Sequence, residues 1–529
     1  MERYLGGDMG KVILAMTLFL LTTVMIASCN NSKPGRIEPM NFPKGFLWGV
    51  SQGSIQAEGD CPDNDYHAWE HMGKVPDIGL ADNSFVLYDT DSAEAQSLHL
   101  NAFRITFEWA RIEPRAPKTI GMPLTAGDVD MAVVNHYHDV VQSLIDHGLT
   151  PVVTLLHYAL PLWDDNPEAV YSPTTRTFSD GSLGGWTNPL TAYAFSSYAR
   201  FIAQQFSGTV KYWLTENEPM ANVLSGYIIG NFPPAYAPLD LDLTAAILPF
   251  GTSVVDVIKN MIAGHALAYH AIHDEDPDAE VSFPKNSVFA RAVPGNPSSQ
   301  LAASRFDHFY NLLFLDAVTR GVFDNGLTGT TFTEVHPEWA DTLDFIGLNY
   351  YISDYVVSVP GVLSPVDVLP CDPQINAALN GILSSFKCPV QGPSETQGFT
   401  DMLLEYAGRY HLPILVTENG TAGYFSDGGA AEKTKFIVQN IIAVHDAIDR
   451  GADVFGYLYW TLNYDYEWTF GYRQNDALFY VDDFSSPTFT EPTVGTDFTR
   501  TPIHPAADVY SAIAAADGIS PTIIDQYGH

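Results

Sequence analysis

The 529-residue sequence is short of positive charge: 25 lysines and arginines stand against 62 aspartates and glutamates, a formal net charge of −37. A chain so anionic repels polyphosphate, which excludes nucleic acid as a partner. Cysteine is scarce as well. The four cysteines form no Cys-x-x-Cys pair and no histidine-rich cluster accompanies them, so no metal site is expected. Internal repeats and low-complexity blocks are absent. Residues 12–26 form an apolar run of 15, short of the ~20 that a membrane-spanning helix needs. What the chain has in quantity is apolar and aromatic side chains, 46% and 12%, enough for a large core.

The apolar run has the length of a signal-peptide core and ends in Ile26-Ala27-Ser28-Cys29. This tetrapeptide resembles the bacterial lipobox, in which small residues precede a cysteine that is lipidated. Glu2 and Asp8 depart from the basic start of such peptides. Residues 1–29 are therefore expected to be a lipoprotein-type signal peptide with Cys29 lipidated, and residues 30–41, beginning Asn30-Asn31-Ser32, a flexible tether. The expected location is the cell envelope, exported and held to the membrane by the lipid. In that oxidising setting Cys371 and Cys388 could close a disulfide, leaving Cys61 free.

From residue 42 to residue 529, short apolar runs alternate with longer amphipathic stretches. The runs 47–50, 102–106, 151–155, 211–215, 280–283, 343–348, 413–416 and 454–459 read as strands. Between them, 88–99, 132–147, 191–206, 252–273 and 432–450 read as helices. In the last, Phe436, Ile437, Ile441, Val444 and Ile448 recur close to a 3.6 period. Eight strands alternating with helices predict a single (β/α)8 TIM barrel. The long stretches 158–190, 227–249 and 356–396 are expected to wall its mouth.

Two motifs end strand-like runs: Thr215-Glu216-Asn217-Glu218-Pro219 and Val416-Thr417-Glu418-Asn419-Gly420. Strand C-termini converge on one mouth of a parallel barrel, so Glu218 and Glu418 can face each other despite their separation in sequence. Two facing carboxylates suit glycosidic bond cleavage, with one donating a proton while the other attacks or activates water.

With Phe42-Pro43-Lys44-Gly45-Phe46-Leu47-Trp48-Gly49 at one end and Arg500-Thr501-Pro502 at the other, the chain resembles glycoside hydrolase family 1, the retaining β-glucosidases and β-galactosidases. His157-Tyr158-Ala159-Leu160-Pro161 and Phe232-Pro233-Pro234 are most similar to its archaeal-type members. The resemblance implies Glu218 as acid/base and Glu418 as nucleophile, ~5–5.5 Å apart in a retaining enzyme, with no cofactor. It implies Arg104 as the cation that keeps Glu418 ionised, Tyr351 as its hydroxyl donor and Asn217 as the partner of the sugar 2-hydroxyl. For sugar recognition it implies Gln56, His157, Asn349, Trp460, Glu467 and Trp468. The expected partner is a small β-glycoside or oligosaccharide.

The chain departs from the family pattern in Trp460-Thr461-Leu462-Asn463-Tyr464-Asp465-Tyr466-Glu467-Trp468 and in Asn475-Asp476-Ala477-Leu478, where the family carries Arg-Phe-Gly-Leu. Asp476 thus takes the place of an aromatic wall beside the sugar's C6. Glu216 replaces an apolar residue and, one position from Asn217 on a strand, should face away from the mouth. Three other readings share these residues: a glycan-binding lipoprotein without catalysis, a transglycosylase, and a phospho-β-glycosidase. Retention of Glu467 and the single cation, Arg473, in residues 469–482 count against the last.

Overall fold

The computed structural model describes residues 37–529 apart from 237–241, 246, 331–333, 372–394, 422–428 and 482–490. The expected signal peptide, Cys29 and most of the tether lie outside the described residues. Nine strand segments build the barrel: β1 (Leu47–Ser51), β2 (Ala102–Thr106), β3 (Thr150–Leu156), β4 (Tyr212–Glu216), β5 (Glu280–Ser282), β6 (Pro284–Ala292), β7 (Ile346–Ser358), β8 (Ile414–Asn419) and β9 (Val454–Trp460). All neighbouring pairs are parallel. The eight runs expected as strands all contribute.

The fifth barrel position is split, and the split closes the ring. β5 pairs with β4 through Tyr212↔Glu280, whereas β6 pairs with β7 through Gly347↔Pro284. Phe283, fully buried, is the break between them. One strand thus changes partners along its length, as the stagger of a closed barrel requires. Inside the ring, Ala102, Val152, Leu214, Phe345, Leu415 and Leu458 form a small core of their own. This apolar plug fills the floor, leaving polar side chains for the upper layers.

Eight helices follow the strands: α1 (Ser84–Ser97), α2 (Met131–Asp146), α3 (Leu190–Phe206), α4 (Val254–Glu275), α5 (Leu313–Arg320), α6 (Glu395–Tyr410), α7 (Gly429–Asp449) and α8 (Ala506–Ala516). Two of their starts are chemically marked. Asp130 accepts from the N–H groups of Ala132 and Val133 ahead of α2, and Ser253 with Asp256 forms a capping box on α4. α5 closes a compound helix whose earlier parts, Pro297–Phe306 and a π-turn at Asp307–Leu312, were not foreseen from periodicity.

At the floor, a short strand before β1, Met40–Asn41, pairs with Gly518–Ile519 near the C-terminus. Asp517 adds two bonds to the same junction: its carbonyl accepts from Phe42 N–H at 2.9 Å and its carboxylate from Trp48 Nε1 at 2.9 Å. At the opposite face, the segment 158–190 carries a two-stranded hairpin, Tyr171–Ser172 with Thr177–Phe178. β7 runs on to pair with Val368–Pro370, lifting part of the 356–396 segment beside the mouth.

Cys61 is buried and free, and Cys371 is disulfide-bonded. Its expected partner, Cys388, lies outside the described residues. Among the described residues, no helix is long and apolar enough to cross a membrane.

Candidate active site

A cleft of about 370 Å³ opens at the C-terminal ends of the strands, walled by His157, Asn217, Glu218, Tyr351, Glu418, Trp460, Glu467 and Trp468 among others. Glu418 ends β8 and Glu218 follows β4, so the barrel brings the two carboxyl groups into one cavity. Glu218 sits there through an uncommon backbone. Its φ of +48° places it in the left-handed region, its N–H donates to Pro284 O at 2.8 Å, and Pro219 starts a short helix straight after it. A non-glycine residue held at positive φ costs roughly 1 kcal/mol or more and persists where its surroundings fix it.

The two carboxylates have different partners. Glu418 receives Arg104 Nη1 at 2.5 Å on one oxygen and the Tyr351 hydroxyl at 2.7 Å on the other. Glu218 receives the amide of Asn349 at 2.6 Å and the hydroxyl of Tyr158. Thus Glu418 meets a cation and Glu218 only neutral donors. Burial pushes Glu418 up to about 7; the Arg104 guanidinium pulls the other way, neighbouring Glu218 adds to the rise, and Tyr351 opposes it.

Arg104 is itself fully buried, pinned by Thr154 Oγ1 at 2.8 Å and Asn217 Oδ1 at 2.7 Å. Because Asn217 Oδ1 accepts from Arg104, its amide nitrogen is the group facing His157 Nε2 at 3.0 Å. That nitrogen of His157 therefore accepts, and the ring proton lies on Nδ1. Burial and then the Arg104 charge hold His157 well below the usual imidazole range, so it is neutral.

Asn349 was expected to bind sugar, and the structure gives it another position. It is fully buried, donates to Glu218, and accepts from Thr417 Oγ1 at 2.6 Å. It is not one of the cleft walls among the described residues. The β7–β8 register shifts between Leu348 and Asn349, which turns the asparagine towards the carboxylate.

The far end of the cleft is acidic. Gln56 Nε2 donates to Tyr466 O at 2.9 Å and to Glu467 Oε2 at 3.2 Å, while Gln56 Oε1 has no partner. Asp476 accepts from Gln474 at 3.0 Å with one oxygen and leaves Oδ1 unpaired. Burial, then Asp476 and the two cleft glutamates, hold Glu467 well above the usual carboxylate range. Burial raises Asp476 too, against Gln474 and the Lys433 ammonium. Lys433 is buried behind this loop, bonding Ala477 O at 2.6 Å and Asn475 O at 3.1 Å. Trp468 completes an aromatic wall with Tyr158 and Phe232, ring centroids 5.0 and 5.4 Å away.

This arrangement of barrel, paired glutamates and polar supports is matched in known proteins. The profile of glycosyl hydrolase family 1 covers residues 38–492. The chain belongs to glycosyl hydrolase family 1. It is 28% identical to a β-galactosidase of Pyrococcus woesei over 92% of this chain and 99% of that protein. It is 27% identical to β-glucosidase 17 of Arabidopsis thaliana over 84% of this chain and 82% of the relative. A solved β-glycosidase from Pyrococcus horikoshii superposes with a TM-score of 0.71 at 27% identity, covering 93% of this chain and 99% of that one.

As a family 1 member the protein is a glycoside hydrolase of the retaining β-glycosidase type. Two residues of this glycosidase escaped sequence reasoning. Tyr158, at φ +68° two residues past the end of β3, bonds Glu218; the only signal was an aromatic hydroxyl next to His157. Lys285, on β6, is fully buried, bonds Asn286 O, and stands 4.6 Å from the ring centre of Tyr310. Burial brings it down to about 7, opposed by Glu218 and Asp307. Glu216 behaves as expected. It faces outwards against Gly264 and Trp186, buried with neither oxygen bonded, and burial keeps its proton affinity high.

Proposed function

We propose that Glu418 is the nucleophile and Glu218 the acid/base of a two-step hydrolysis of neutral β-glycosides. The observation that carries this reading is the asymmetry of donors: a guanidinium and a phenol on Glu418, an amide and a phenol on Glu218. A cation in contact favours the anion, so Glu418 is the carboxylate placed to attack and Glu218 the group placed to pass a proton.

In the first step Glu418 attacks the anomeric carbon, the bond to the leaving oxygen breaks, and that oxygen takes the Glu218 proton. Loss of the Glu418 charge in the glycosyl-enzyme lets Glu218 stay ionised. In the second step water attacks the same carbon, gives its proton to Glu218 and frees Glu418. Arg104 and Tyr351 need not move between steps. Asn217, held by Arg104 and facing His157, is placed for the sugar 2-hydroxyl, with Trp460 and Trp468 as ring platforms and Gln56 and Glu467 for the hydroxyls opposite. Asn349 positions Glu218.

The same reading makes the enzyme an exported lipoprotein, anchored through Cys29 and linked to the barrel by the short tether; the support is the apolar run and the tetrapeptide before Cys29. The test of the chemistry is to trap the intermediate with a 2-deoxy-2-fluoro-β-glucoside bearing a good leaving group. The label should be found on Glu418 by peptide mass, and the product anomer should be retained. Label on another residue, or an inverted product, would overturn the assignment.

A further inference from the structure

Lys285 lies on β6 between two residues that hold the acid/base. Pro284 O accepts the Glu218 N–H at 2.8 Å, and Asn286 pairs in register with Asn349, whose amide donates to Glu218 Oε1 at 2.6 Å. Asn286 is also a wall of the catalytic cleft, beside Glu218. The lysine itself is fully buried. Its ammonium donates to Asn286 O and stands 4.6 Å from the ring centre of Tyr310, whose hydroxyl donates to Asn286 Oδ1 at 3.1 Å. The acids that face it are Glu218, past the end of β4, and Asp307 in the π-turn. Asp307 is already engaged: Asn311 Nδ2 bonds it at 2.7 Å, and Arg409 of α6 acts on it, with Glu405 on the same helix. A buried ammonium is costly unless a counter-charge acts on it. Glu218 is the acid left to supply that charge.

We infer that Lys285 is a positioning residue for the second step: its ammonium favours the ionised Glu218 that takes the proton of water. The inference rests on Glu218 being the acid/base. In the glycosyl-enzyme Glu218 has given its proton to the leaving oxygen and must stay ionised until water attacks. Its direct partners, Asn349 and Tyr158, are neutral, and Tyr351 and Tyr310 face it as phenols. Glu467, when ionised, opposes its charge across the cleft. Arg104 serves Glu418, so the cation acting on Glu218 is Lys285. Charges separated by protein rather than water feel each other strongly. Burial brings the ammonium down to about 7 while Glu218 resists that fall, so the lysine is charged in acid. Lys285 is not a wall of the cleft among the described residues, and it acts through Glu218 rather than on the sugar.

The test uses 2,4-dinitrophenyl β-glucoside, whose leaving group needs no proton, so the second step limits kcat. Lys285→Met and Lys285→Gln, both uncharged, should each lower kcat about tenfold and KM with it, leaving kcat/KM within about threefold. The acidic limb of the kcat profile should move up by about one pH unit, because Glu218 without its cation ionises less readily. Lys285→Arg should restore kcat and the limb in part. Azide attacks the glycosyl-enzyme without a base, so it should return most of the lost rate in the uncharged variants and give the retained glycosyl azide. An unmoved limb, kcat and kcat/KM falling together, or no gain from azide in those variants would overturn the inference. Glu218→Ala, run alongside, separates the two readings. If azide rescues Glu218→Ala while the uncharged Lys285 variants behave as the wild type, only the role of Lys285 falls. If azide leaves Glu218→Ala unrescued, the acid/base assignment falls with it.

Discussion

Nη1 of Arg104 lies 2.5 Å from Oε1 of Glu418, with both side chains closed off from water. Breaking a buried pair by removing one partner leaves an uncompensated charge and costs about 3–5 kcal/mol. Glu418 must be ionised to attack, so activity falls as pH drops through its pKa. Burial already pushes that value up to about 7 against the pull of Arg104. Arg104→Met should therefore move the acidic limb of the kcat/KM profile to higher pH and lower the rate near pH 6 by about 10²–10³-fold. An unmoved limb would show that the guanidinium does not hold the charge.

Glu418→Ala should reduce turnover of an aryl β-glucoside by roughly 10⁴-fold or more, since no glycosyl-enzyme can form. Added azide should then restore reaction, giving the inverted glycosyl azide. Glu218→Ala should instead spare the first step for good leaving groups and slow the second. Stopped-flow release of nitrophenol followed by slow steady turnover is the expected signature in that variant.

Stability should be greatest in acid. Burial raises Asp82, Glu94 and Glu113 to about 8 and Glu58 and Asp164 to about 7. Unfolded, these carboxyls titrate near 4. Between pH 4 and 8 the folded chain holds more protons than the unfolded one, so unfolding free energy falls as pH rises. Tm should be highest near pH 4–5 and about 5 °C or more lower by pH 8. Calorimetry showing Tm rising over that interval would refute this.

Asp476 and Glu467 together should refuse a sugar 6-phosphate. Either carboxyl repels phosphate once ionised, the cleft is partly desolvated, and Lys433, which could offset the charge, is already occupied by backbone carbonyls. Glucoside should exceed 6-phosphoglucoside by at least ~100-fold in kcat/KM. With Asp476 where the family carries an aromatic residue, xyloside should be cleaved comparatively well, and Asp476→Phe should raise the glucoside-to-xyloside ratio about tenfold. A wild-type preference for the phosphorylated sugar would sink the charge argument.

Cys29→Ser should release the protein from membranes or leave it unprocessed, whereas the unaltered chain should partition with them. Multiple acyl chains anchor stably where a single one does not. Fractionation of intact cells, with mass analysis of the mature N-terminus, decides it.

Much of the barrel was legible because its strands contain compact apolar runs, several of them ending at polar residues, as in Trp213-Leu214-Thr215-Glu216 or Leu415-Val416-Thr417-Glu418. The placing of Glu218 and Glu418 at the mouth was legible for the same reason, since the C-terminal ends of parallel barrel strands converge there. The break at Phe283 was not, because periodicity says nothing of which neighbour a strand pairs with. Nor was the role of Asn349, which depends on a register shift against β8. Tyr158 and Lys285 acquire their meaning only from residues distant in the chain that fold against them. A buried lysine in particular looks like any surface lysine until the helix carrying Tyr310 covers it.

The strand Met40–Asn41 and the Asp517 bonds fasten the entry of the chain to the barrel floor, opposite the cleft. A lipid attached a few residues upstream would therefore grip the enzyme by its blunt end. The catalytic opening would then lie at the end of the barrel farthest from the point of attachment, open to molecules diffusing in the surrounding fluid.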